Sequence, residues 1–304
     1  MSEENKADNS CCASCGVAEV DEIKLKECDD CDLVRYCSDE CQIDHKPDHE
    51  EACKKRAAEL RDELLFKQPE SSHLGDCPVC CLPLSLDTAK SSMMMCCSKI
   101  ICNGCACANA VREVEGRLKH TCLFCREPAP DTKEGRGRQN MKRVKANDPA
   151  AINQVGGEKY YEKDYRTAFE YSKKAAELGV AQSHFRLSIM YHFELGVEKD
   201  EGENIRHLEE AAIGGHPQAR NNLGCEEWNN DNVERAVKHW IIAAAQGDDD
   251  STKHLMNAFK DGFVDKEVLA ATLRAHKAAI DATKSPQREA AEKYFQDLHW
   301  LRIH

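Results

Sequence analysis

The sequence lacks a long apolar run. No stretch of its 304 residues approaches the ~18 consecutive apolar side chains of a membrane-spanning helix. The opening Met1-Ser2-Glu3-Glu4-Asn5-Lys6 is polar and acidic, without the apolar core of a secretory signal, so an intracellular chain is expected, in the cytoplasm and/or the nucleus. Basic charge is also in deficit: 42 Lys and Arg stand against 54 Asp and Glu, a net charge of −12. A protein that grips phosphates needs a net basic face, so nucleic acid is not the expected partner. The most uneven absence is cysteine. Eighteen of the nineteen lie before residue 126, and the rest of the chain holds only Cys225. In a reducing compartment clustered thiols are metal ligands rather than disulfides. The chain therefore divides into a metal-binding front and a back that folds without metal.

The front contains two clusters. In the first, Cys12-x2-Cys15 is followed after twelve residues by Cys28-x2-Cys31, then Cys37-x3-Cys41 and His49-x3-Cys53. Eight donors suffice for two closed tetrahedral sites with no position open to water. So short a segment buries little core, and metal binding has to supply its folding energy, of the order of ~10–16 kcal/mol for a structural zinc. Cys11 and His45 are expected as neighbours rather than ligands.

These residues resemble the MYND zinc finger, whose pattern of paired cysteines ends here in Tyr36-Cys37-Ser38-Asp39-Glu40-Cys41-Gln42 and His49-Glu50-Glu51-Ala52-Cys53. The resemblance implies interleaved sites: Cys12, Cys15, Cys37 and Cys41 on one zinc, Cys28, Cys31, His49 and Cys53 on another. Lys46 stands where that family usually has a tryptophan of its peptide-binding face, so proline-rich peptide docking does not carry over. Beyond it, Ala57, Leu60, Leu64 and Leu65 recur at helical spacing, and residues 54–68 read as a helix linking two modules, ended by Pro69.

In the second cluster Cys77-Pro78-Val79-Cys80 opens, Cys96-Cys97 and Cys102-Asn103-Gly104-Cys105 follow, and Cys122-Leu123-Phe124-Cys125 closes. Residues 106–117 suit a helix between the second and third pairs. The order resembles a RING finger over residues 77–128. Cross-bracing as in that family implies Cys77, Cys80, Cys102 and Cys105 on one zinc, and Cys97, Cys122 and Cys125 with a fourth donor on the other. The family's fourth ligand falls at Lys99, which is no ordinary zinc ligand; Cys96, Cys107 and His120 are the alternatives, with Cys96 favoured. One or two zincs are expected here, against two in residues 12–53. The resemblance also implies contacts to a ubiquitin-conjugating enzyme through Val79, Arg126 and Pro128. The alternative roles of those three are local packing, the end of the domain and surface charge.

Residues 129–148 are polar and basic, with two glycines and no apolar period, and read as a flexible linker. Asp148-Pro149 then marks a helix start. Beyond it the chain repeats. Val155, Leu187, Leu223 and Leu255 are spaced by 32, 36 and 32 residues, with Ala151, Ser183, Ala219 and Ser251 one helical turn earlier. In a second register, Ala175, Ala211 and Ala243 lead to Gly179, Gly215 and Gly247, where a helix needs positive φ to stop, whereas Ala275 leads to Ala279, so that helix should run on. Such a period means an α-solenoid of helix pairs. Lys174-Ala175-Ala176-Glu177-Leu178-Gly179, Asn222-Leu223-Gly224 and Gly196-Val197-Glu198-Lys199-Asp200 resemble Sel-one-like repeats, relatives of the tetratricopeptide, over residues 149–280. Residues 281–304 are expected to cap the solenoid with Ala291, Tyr294, Phe295 and Leu298 turned inward. Cys225 is expected to pack between helices.

The expected architecture is multidomain: two small cross-braced zinc modules, then an all-α solenoid of helix-turn-helix repeats. The back half shows no catalytic cluster; His184, His192, His207, His239 and His254 are scattered and expected on helix surfaces. Two functions of different class remain. One is an interaction scaffold that docks proteins or peptides. The other is a ubiquitin ligase, in which a RING-type finger recruits the conjugating enzyme without forming a covalent intermediate, and the solenoid or first finger presents the substrate. A methyltransferase is excluded, because nothing resembles a SET domain.

Overall fold

The computed structural model describes residues 10–130 and 132–303, and only the backbone of 296–303. The chain falls into two compact units, one ending at Lys67 and one beginning at Gln68.

In the first unit a short antiparallel pair, β1 (Lys26–Glu27) and β2 (Arg35–Tyr36), precedes α1 (Asp39–Leu65). Ser38 caps α1 by accepting from the Cys41 amide, and Asp39 and Glu40 sit in the first turn, where negative charge suits the helix dipole. The closing helix of the finger and the expected linking helix 54–68 are thus one helix. It passes through Pro47 and ends at the Phe66 cap. Its pin to the finger is Arg56, whose guanidinium donates to both carboxylate oxygens of Asp32 at 2.7 and 2.9 Å. The buried core consists of Cys12, Cys28 and Cys31 with Leu25 and Tyr36, so the donor sulfurs are themselves much of the core.

The second unit opens with the β3 (Ser91–Met94) and β4 (Lys99–Cys102) hairpin and α2 (Asn103–Glu115). Ten more helices follow: α3 (Lys133–Lys145), α4 (Pro149–Tyr161), α5 (Tyr165–Glu177), α6 (Ala181–His192), α7 (Glu201–Ile213), α8 (Pro217–Asn229), α9 (Val233–Ala245), α10 (Asp249–Lys260), α11 (Lys266–Ala282) and α12 (Pro286–Ile303). Each of α4 to α10 packs on its successor, which is the expected solenoid. The repeat register explains the packing. Ala151, Ser183, Ala219 and Ser251 are each fully buried, with Leu187, Leu223 and Leu255 beside them. Ser183 Oγ donates to Asn153 at 2.8 Å and Ser251 Oγ to Asn221 at 2.9 Å, one repeated tie between first helices of neighbouring repeats. Gly179, Gly215 and Gly247 end the second helices at φ +82°, +78° and +94°, while α11 runs through Ala279.

Two expectations need correction. Residues 133–145 of the supposed flexible linker are helical. Thr132 caps α3 on the Gly135 amide, Glu134 lies in its first turn, and Lys142, Arg143 and Lys145 lie in its last, so the charges complement the dipole that the glycines weaken. Asn147 follows at φ +59°, in the register of Gly179, and α3 packs on α4. At the other end, Ala291 is buried but Tyr294 and Phe295 are 56% and 45% exposed, and Leu298's side chain lies outside the described residues. The reason is that α12 packs on α2 of the second finger.

Candidate metal centres

Three of the cysteine pairs share one local device. In Cys12–Cys15, Cys77–Cys80 and Cys122–Cys125 the first cysteine's amide donates five residues ahead, to Val17, Leu82 and Glu127. Its carbonyl accepts from Gly16, Cys81 and Arg126, which stand at φ +74°, +56° and +62°. This tight turn aims both sulfurs to the same side. It also settles two spare thiols: Cys81 takes the left-handed position that Gly16 fills, and Cys11 forms the flanking bridge to Ala18, as Asp76 does to Pro83 and Thr121 to Pro128.

Four tetrads result, each with its donor atoms within 4.8 Å of one another: Cys12, Cys15, Cys37 and Cys41; Cys28, Cys31, His49 and Cys53; Cys77, Cys80, Cys102 and Cys105; Cys96, Cys97, Cys122 and Cys125. A tetrahedron with ~2.3 Å arms has sulfur–sulfur edges of about 3.8 Å. The observed edges fit it: 3.5 Å for Cys15–Cys37, 3.6 Å for Cys37–Cys41, 3.7 Å for Cys28–Cys53 and for Cys97–Cys122, 3.8 Å for Cys80–Cys102 and 3.3 Å for Cys96–Cys125. His49 Nε2 lies 3.2 Å from Cys31 Sγ. These edges are far longer than a disulfide's ~2.05 Å.

The backbone prepares the thiolates. Burial pushes the Cys77 thiol up, but the amides of Cys102, Cys80 and Val79 pull it further down, to about 6. Cys12 is brought to about 6 against burial in the same way, by Cys15, Cys37 and Ser14, and Cys122 to about 7 by Cys125 and Phe124. Cys102 doubles as the N-cap of α2, accepting from the Cys105 amide at 3.4 Å, so a donor sulfur sits at the positive end of a helix. Burial, first, and the neighbouring Cys28 thiolate drive Cys53 up to about 12. A dication among them reverses that repulsion.

The fourth donor of the last tetrad is Cys96, placed by the β3–β4 turn where Ser98 takes φ +59°. Lys99 begins β4 and sets its ammonium over the Phe124 ring at 5.6 Å. Of the other candidates, His120 is paired with Glu113 and Cys107 lies outside every tetrad. His45 is a neighbour of the first finger's second site: it stacks on His49 and its Nδ1 lies 3.1 Å from the Tyr36 hydroxyl. Val79, Arg126 and Pro128 are all exposed. In the solenoid, His207 and His239 are buried rather than on helix surfaces, because α7 and α9 are covered by neighbouring helices. Cys225 packs beside the Trp240 cluster, as expected.

Residues 12–53 match the family model of the MYND finger, and residues 151–180, 181–216 and 217–248 match that of the Sel1 repeat. The chain joins a MYND finger to Sel1 repeats. The cysteine tetrads that lie between them fit a RING-like zinc module. A Sel1 repeat protein from Oxalobacter formigenes is 22% identical over 59% of this chain and 53% of its own, with a TM-score of 0.44. A protective antigen of uropathogenic Escherichia coli strains, with an SLR fold, is 20% identical over 54% of this chain and 37% of its own, with a TM-score of 0.39. The chain thus spans about half of the first relative and less of the second. No curated protein matches the sequence. No helix among the described residues is long and apolar enough to cross a membrane.

Proposed function

We propose that the chain is a protein-interaction scaffold of a reducing compartment, cytoplasmic or nuclear, held by four structural zinc ions. Two would sit in residues 12–53 and two in residues 77–128, on the tetrads above. The observation that carries this reading is closure: every tetrad has four protein donors, which leaves no coordination position for water or substrate. Bound zinc supplies folding energy there, and the side chains around it do the holding. The docking surfaces would be the MYND finger and the solenoid. A 570 Å³ groove lined by Tyr160, Phe185, Arg186, Ile189 and His216 is the solenoid's candidate. Proximity labelling of partners by the full chain, by Cys28→Ser and by Ile189→Glu tests the scaffold. The expected result is two partner sets, one lost with each variant. Identical partner sets in all three would refute it.

A ubiquitin ligase is the second reading. Two observations favour it: Cys96 closes the tetrad that Lys99 leaves open, and Val79, Arg126 and Pro128 stand clear for a partner. Autoubiquitination across a panel of conjugating enzymes, lost in Val79→Ala and Arg126→Ala, is the expected outcome. Silence with every conjugating enzyme removes this reading and leaves the scaffold.

A further inference from the structure

The second finger's first tetrad is made of four cysteines, three of them, Cys77, Cys102 and Cys105, deeply buried. Four thiolates around a dication carry a net charge of −2, which is costly away from water unless a cation lies against them. Among the described residues no arginine of the finger itself hydrogen-bonds a sulfur of this tetrad. One arrives from the far end of the sequence. Arg288, on α12, is 7% exposed, and its Nη2 lies 3.3 Å from Cys80 Sγ.

The Nη atoms otherwise bond carbonyls, while Nε is buried without a hydrogen-bond partner among the described residues. The guanidinium donates to Pro83 O at 2.6 Å and Leu82 O at 3.0 Å in the turn after the first knuckle, and to Thr283 O at 2.7 Å ahead of its own helix. Among the described residues no carboxylate pairs with it, and the one anionic atom it bonds is the Cys80 sulfur. Arg56, by comparison, pairs with carboxylates: Asp32 of the first finger, and Glu59 and Glu63 of its own helix.

The close approach is built into the sequence on both sides. Gly104 lies between the ligands Cys102 and Cys105, and a Cβ there would stand 3.0 Å from the Cα, N and Cγ of Arg288. Its φ is not positive, so the glycine serves the approach and not a turn. Gln287 Nε2 donates to the Gly104 carbonyl at 3.2 Å, and Lys90 pairs with Glu292 at 2.9 Å.

We propose that Arg288 is the outer-sphere cation of the Cys77–Cys80–Cys102–Cys105 centre, so that metal retention in the second finger and the seating of the C-terminal helix are coupled. The helix positions the charge; the charge stabilises the thiolates; the loaded centre holds the helix. Arg288 is thereby a positioning residue for Cys80 and touches no metal.

The proposal rests on zinc occupying this tetrad, and the wild-type protein tests that separately by its zinc count. The experiment is chelator-driven zinc release from the full-length, zinc-loaded chain, followed with a colorimetric chelator. Arg288→Gln keeps hydrogen-bond donors but loses the charge, and Arg288→Lys keeps the charge. In Arg288→Gln one zinc of the set should leave about 10–100-fold faster, the usual cost of an outer-shell change, while Arg288→Lys falls between it and wild type. The thiolate-to-cobalt charge-transfer band of the cobalt-substituted protein should shift in Arg288→Gln. Gly104→Ala should speed release of the same ion by displacing α12. Conversely, removing the metal with Cys80→Ser should raise amide exchange across residues 286–292. Equal release from the Gln and Lys variants would reduce Arg288 to a structural tie. Wild-type release from both would overturn the coupling altogether.

Discussion

The two fingers use the same knuckle turn and the same donor chemistry, yet they are supported differently. The MYND finger closes on its own α1, which runs on past it and is anchored by the half-buried Arg56 on Asp32. The RING-like finger has a short α2 and is supported by helices distant in sequence, α12 above all. A donor set encoded within about forty residues makes a self-sufficient module, whereas a finger whose charge balance comes from residue 288 belongs to the solenoid's folding unit. The division of the chain after Lys67, and not between finger and helices, expresses that difference.

Stripping all zinc breaks the comparison most severely. Hydrogen exchange after chelation should show residues 12–53 losing all protection, since ~10–16 kcal/mol of folding energy goes with each ion, while α4 to α10 stay protected. Collapse of the solenoid as well would show that metal supports both halves. A sharper cut separates Cys96 from Lys99. Cys96→Ser should lower the zinc content by one, and Lys99→Ala should leave it unchanged. The reverse would return the fourth ligand to position 99.

Within the solenoid, a Cβ on Gly224 would stand 2.4 Å from Trp240 Nε1. Gly224→Ala should therefore destabilise the helical transition by about 1–3 kcal/mol, as overpacking does, with zinc content unaltered. The smallest effect is on pH dependence. Burial brings His73 and His207 down to about 4, from 6.5. Between those values the unfolded chain binds more protons than the folded one, so stability is fully present above about pH 6.5 and is lost as the pH falls towards 4. His73 stacks on His216 at 4.1 Å. His73→Phe keeps that stack and should flatten the slope in chemical denaturation at constant zinc content; an unchanged slope would assign the loss elsewhere.

What was legible in the sequence follows from the range over which each feature is encoded. Knuckle spacing and the period of Ala151, Ser183, Ala219 and Ser251 are local, and the eight donors of residues 12–53 and the solenoid were readable from them, while the division of the donors into two tetrads came from the resemblance to the MYND finger. Cys96 was already favoured over Cys107 and His120, but what sets it there, the turn at Ser98 and the engagement of His120 by Glu113, is not visible in a spacing. Helix α3 was hidden by its polarity and two glycines, although Asn147, 32 residues before Gly179, was a signal in plain view. The docking of α12 was beyond the sequence. Tyr294 and Phe295 suggested an apolar face, but the contact is made by Arg288 and Gln287, whose partners lie some two hundred residues away.

The central claim is that both fingers hold two closed zinc sites despite the lysine at position 99. Native mass spectrometry of the full-length protein, purified without added chelator, tests it directly. The account predicts four zinc ions per chain. Three, with Cys96 open to alkylation in the native protein, would contradict it.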